Sequence, residues 1–72
     1  MNQFPEISCS DMAFLIREWI PNERDRKIMY RRMIDGVLFD DLGEEFGLSV
    51  RRTKAIVYKW QKVIYRHLPV SL

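Results

Sequence analysis

The chain has 72 residues, 47% apolar and 31% charged, and its 12 lysines and arginines outnumber 10 aspartates and glutamates for a formal net charge of +2. That length allows one domain with a thin core, held by packed helices or by a partner rather than by disulfides, since Cys9 is the only cysteine. The longest apolar run is Met12 to Ile16 and the start MNQFPEISCSD carries no basic residue, which excludes a membrane span and a signal peptide and makes a reducing cytoplasm the expected location.

Helical spacing dominates the chain from end to end, and no useful period-2 alternation occurs, so the fold class expected is all-α. A first helix over 10–20 starts from Ser10 as N-cap with Asp11 in its first turn. Met12, Leu15, Ile16 and Trp19 form its apolar stripe at i, i+3, i+4 and i+7, and Pro21 stops it. A support helix over 22–35 follows, capped by Asn22, with Glu23 and Asp25 at its positive end and Met29, Tyr30, Met33 and Ile34 as its stripe. Gly36 terminates it. Arg31 and Arg32 near its end either hold a phosphate or pair with Asp35 or Glu45.

The region 38–67 reads as a helix-turn-helix: a short helix over roughly 39–46, a glycine turn at Gly47, and a long helix capped by Ser49. Phe39, Leu42 and Phe46 form the stripe of the short helix. Gly43 fits the point where the next helix approaches, and Leu48 plugs the corner. In the long helix, Thr53, Ile56, Val57, Trp60, Val63, Ile64 and His67 fall on one face, expected to be core. The opposite face presents Arg51, Ala55, Tyr58, Lys62 and Tyr65, flanked by Lys54, Lys59 and Arg66, and Pro69 ends the helix.

Charge divides at Ser49. Residues 1–49 carry all 10 acids and 6 of the 12 bases, a balance of −4, whereas residues 50–72 carry the other 6 bases and no acid, a balance of +6. A block of one sign on a single helix is an electrostatic footprint for phosphates. A recognition helix in the major groove must be free of acids, since each carboxylate near the backbone repels it. Enzymatic chemistry finds no support. One histidine and one cysteine do not make a four-ligand zinc site, and no Gly-rich loop ends in Lys-Ser/Thr, so no metal, cofactor or small-molecule substrate is expected.

The stretch ERDRKIMYRRMIDGVLFDDLGEEFGLSVRRTKAI resembles region 4 of bacterial sigma-70-type sigma factors, including the extracytoplasmic-function group. Arg26, Arg32, Asp35, Gly36, Asp41, Leu42, Glu44, Gly47, Leu48, Ser49, Arg52 and Ile56 carry the likeness, which spans residues 22 to about 66. It implies a compact four-helix domain containing a helix-turn-helix of that type. It also implies base contacts from the first two residues after the cap and one four to five further on, here Val50, Arg51 and Ala55. Val50 and Ala55 donate no hydrogen bond and suit a thymine methyl, so Arg51 is the best direct reader, bidentate to a guanine. Ser49, Arg52, Lys54, Tyr58, Lys59 and Lys62 are the expected phosphate contacts. Leu38 stands where the family places a capping Ser or Thr, Arg31 where it places leucine, and Thr53 where it places Ile or Val.

A chain of this length has no room for the module with which a sigma factor grips polymerase and melts DNA. That leaves an autonomous regulator of the phage or mobile-element type or a fragment of a longer chain; the additional N-terminal helix with its own apolar stripe favours the autonomous regulator, binding double-stranded DNA as a dimer or with RNA polymerase. Two other functions fit the same residues: a helical module that docks on host RNA polymerase or another host protein, since region 4 binds the polymerase flap, and a DNA-packaging or recombination accessory protein.

Overall fold

The computed structural model describes residues 7–68, and among these there are helices and turns but no strand. Four helices follow in chain order: α1 (Cys9–Trp19), α2 (Glu23–Met29, continued by a π-helical turn over Tyr30–Ile34), α3 (Phe39–Phe46) and α4 (Val50–Arg66). The all-α expectation holds. Pro69, expected to end the last helix, lies outside the described residues, and α4 ends before it with His67 as C-cap.

The capping residues explain the boundaries. The N-cap of α1 lies two residues earlier than Ser10, because the Ser8 hydroxyl, not that of Ser10, accepts the Asp11 backbone N–H at 3.1 Å. α2 starts as expected, the Asn22 side chain accepting the Asp25 N–H at 3.0 Å. Gly47 ends α3 in the left-handed region (φ 67°), with the Leu48 N–H donating to the Gly43 carbonyl at 2.8 Å. That six-residue closure satisfies carbonyls a helix end would otherwise leave bare. Ser49 then caps α4 by accepting the Arg52 N–H at 3.1 Å.

The support helix departs from the prediction. Its last turn widens: the Asp35 N–H donates to Tyr30 O at 3.2 Å and the Val37 N–H to Arg31 O at 3.1 Å, spans of five and six residues. Widening shifts the face that the turn presents, so the expected stripe is only partly buried. Met29 is fully covered, Tyr30, Met33 and Ile34 are half-covered, and Ile28, outside that stripe, is fully buried. Gly36 (φ 73°) then turns the chain toward α3, as the sequence predicts.

All four helices contribute to one core: Met12, Leu15, Ile16 and Ile20 from the α1 segment, Ile28 and Met29 from α2, Leu42 from α3, and Ile56, Val57 and Ile64 from α4. Each such side chain contributes about 1.5–3 kcal/mol by leaving water. Trp60, Phe46 and Leu48 pack partly buried at its margin. Some expected core residues sit differently. On α4, Trp60, Val63 and His67 are only half-buried. Trp19 is 44% exposed, because α1 runs past the edge of the core and Ile20, the C-cap, takes the buried place instead. Trp19 lies flat on His67 at the end of α4, ring centroids 3.7 Å apart and planes within 6°, a contact joining the two helix ends across the surface.

Two features fix α4 against the body. Gly43 is buried in α3 where α4 begins; a Cβ there would lie 2.7 Å from the Leu48 carbonyl and 3.3 Å from Thr53 Oγ1. Only glycine permits that approach. Further along, the Trp60 indole N–H donates to Asp25 Oδ2 at 2.8 Å, and Arg24 bonds Asp25 Oδ1 through Nε at 3.2 Å and Nη2 at 3.1 Å. Asp25 is buried and ties α2 to α4 with both oxygens occupied.

Candidate nucleic-acid interface

With Thr53, Ile56, Val57 and Ile64 buried, the opposite side of α4 is turned to solvent. Arg51, Ala55, Tyr58 and Lys62, at i, i+4, i+7 and i+11, form an exposed stripe about 16 Å long. Arg52, Lys54, Lys59 and Arg66 are exposed beside it. Tyr65 is half-buried rather than open, and burial pushes its phenol above the usual 10.

Ion pairing separates this surface from the rest of the molecule. Among the described residues the pairs are Arg24–Asp25, Lys27–Glu23, Arg31–Asp35 and Arg31–Glu45, all on α2, its π turn and α3. None reaches α4. Arg51, Arg52, Lys54, Lys59, Lys62 and Arg66 therefore keep their charge unneutralised by any carboxylate among those residues. Lys54 lies 5.6 Å from the Phe39 ring centroid and Lys59 4.7 Å from that of Trp60, contacts that orient a cation without cancelling it.

The start of α4 adds to the field. Its first turn contains no acid, although carboxylates stabilise that end of a helix and α3 has Asp40 and Asp41 there. Arg51 and Arg52 instead place two positive charges at the positive end of the helix dipole. The arrangement costs α4 intrinsic stability and favours an anion from outside. Ser49 caps with its oxygen as acceptor, so its hydroxyl proton stays available to a further acceptor.

Of the residues expected to read bases, Arg51 and Ala55 are exposed and Val50 is half-buried at the turn. All six expected phosphate contacts, Ser49, Arg52, Lys54, Tyr58, Lys59 and Lys62, are exposed. Arg31 resolves toward the protein: its Nε donates to Glu45 Oε1 at 3.0 Å, Nη2 bonds Glu45 Oε2 and Nη1 bonds Asp35 at 2.9 Å. Those bonds raise the pKa of its guanidinium further and hold the Glu45 carboxyl below its usual 4.5.

The sequence reading missed one grouping. The Arg32 guanidinium lies 3.9 Å from the Phe39 ring centroid, and Tyr58 meets the same ring edge-on at 5.8 Å. No periodicity joins positions 32, 39 and 58, so only the packing of α2, α3 and α4 brings them together. Among the described residues there is no cluster of three or more His, Cys, Asp or Glu able to hold a metal, and no helix long and apolar enough to cross a membrane. Comparison of the chain with protein-family models, with curated proteins and with solved structures finds no match in any of the three.

Proposed function

We propose that the protein is a sequence-specific DNA-binding regulator that lays α4 in the major groove. The observation that carries this function is the outward face of α4: six exposed cations without an ion-pair partner among the described residues, on a helix free of acids. The tight α3–α4 junction at Gly43 and the left-handed Gly47 support it, because they seat one face of the second helix firmly on the body and leave its basic face outward, as a helix-turn-helix requires. The residues shared with sigma region 4 support the same arrangement.

A titration of a mixed duplex pool at several salt concentrations tests the proposal. The expected result is an association constant whose logarithm falls linearly with log salt, by roughly 0.9 per phosphate neutralised. Binding that is absent at low salt, or indifferent to salt, refutes it.

A second function has a specific observation in its favour. Phe14 and Leu38 are 51% and 66% exposed, and large apolar side chains left in water suit a protein partner. A module docking on RNA polymerase or another protein would use these residues and leave the α4 cations salt-insensitive toward DNA.

A further inference from the structure

Arg31 and Arg32 are neighbours with opposite surroundings. Two carboxylates neutralise Arg31. Arg32 pairs with no carboxylate among the described residues; its Nη1 donates to the Val37 carbonyl at 2.9 Å and its guanidinium stacks on Phe39. The Lys54 ammonium approaches the same ring from α4, and Tyr58, nearly half exposed, borders it. One aromatic ring at the first residue of α3 thus gathers cations from two other helices, both within 6 Å of its centroid.

Two like charges near one ring repel, and the negative face of the ring offsets that only in part. An anion seated between them offsets the remainder. Asp40 and Asp41, exposed in the same turn of α3, oppose an anion there, so the two cations and not the helix end must supply the attraction. Lys54 and Tyr58 also belong to the outward face of α4, which opens the cluster on the side of the basic stripe.

We infer that Arg32, Lys54 and the Tyr58 hydroxyl, arranged by Phe39, bind one backbone phosphodiester of duplex DNA apart from the groove-reading residues; this rests on the DNA-binding function proposed above. Phe39 is a positioning residue: it touches no DNA and acts by holding Arg32 and Lys54 over one ring. Arg32 thereby extends the interface from α4 to the end of α2.

The test is anisotropy of a labelled duplex pool across a range of chloride concentrations, with wild type, Phe39→Leu, Phe39→Tyr and Arg32→Gln. Phe39→Leu keeps an apolar side chain and removes the π face. It is expected to make the fall of log K with log salt shallower by about 0.9, with sequence preference unchanged, and Phe39→Tyr to restore it. Arg32→Gln is expected to make the fall shallower by about 0.9. An unchanged slope in a folded Phe39→Leu overturns the inference while leaving the DNA-binding function standing. If Phe39→Leu does not fold, Arg32→Gln decides in the same way. A wild type that binds no duplex sinks the DNA-binding function itself, and this site with it. Inorganic phosphate at constant ionic strength separates the two sources of the ligand. Arg32 side-chain NMR shifts that saturate at millimolar phosphate without DNA would assign the site to free phosphate and overturn the diester.

Discussion

Asp25 and Arg51 are each one charged side chain on a helix first turn or close to it, yet their environments assign them opposite tasks. Asp25 is buried and holds Arg24 and the Trp60 indole. Trp60→Phe removes that indole donor and leaves a buried carboxylate oxygen short of a partner, with an expected loss of about 1–3 kcal/mol in urea unfolding. Arg51 is exposed with no protein partner among the described residues, so its replacement is expected to raise the unfolding midpoint slightly, by removing a positive charge from the positive end of the helix dipole. Its main effect should appear in DNA binding. Arg51→Ala should relax preference at one base pair at a cost of about 1–3 kcal/mol, while Lys59→Ala should weaken all sequences alike. Selection of preferred sites by each variant checks this, and identical behaviour would contradict the proposed division between reader and phosphate contact.

At the scale of elements, the junction between α3 and α4 governs how α4 is displayed. Its two glycines serve for different reasons. At Gly47 a Cβ would meet nothing within 4 Å, so an alanine pays only for the left-handed backbone, about 1–2 kcal/mol. At Gly43 the backbone is helical and the obstacle is contact: the Leu48 carbonyl would stand 2.7 Å from the added atom. Gly43→Ala is expected to lower stability by about 1–3 kcal/mol through forced separation of the helices. Because that separation tilts α4, it should also weaken DNA binding beyond what the stability loss explains, whereas Gly47→Ala should not. Thr53 belongs to the same junction. Its methyl is buried, and its hydroxyl donates to the Ser49 carbonyl at 2.8 Å, so a β-branched residue fills the junction with no buried polar atom left bare.

At the scale of the whole fold, charge is segregated: among the described residues the ion pairs lie on α2, its π turn and α3, and none involves a base of α4. The Arg31–Glu45 pair closes the π turn onto α3 and supplies a pH dependence. A carboxyl whose pKa is depressed on folding adds stability above its unfolded value and loses it as pH falls through the folded one. Thermal midpoints of wild type and Glu45→Gln should therefore differ most above pH 4.5, and the gap should close as the pH drops below that value. The gap is small, since an exposed pair is screened by water and salt. A gap that widens in acid would contradict the assignment.

What was legible in the sequence is what local spacing and local chemistry determine. The α3 bounds, the Asn22 and Ser49 caps, the left-handed glycines and the inward Thr53, Ile56, Val57 and Ile64 of α4 each depend on residues within a few positions of one another, and each is found in the fold. The exposure of Trp19, the Asp25–Trp60 bond and the gathering of Arg32, Lys54 and Tyr58 around Phe39 were decided by tertiary packing. In each, the controlling neighbour comes from another helix. A hydrophobic period states which side of a helix turns inward, but which polar partner waits at the margin of the core depends on how the helices cross.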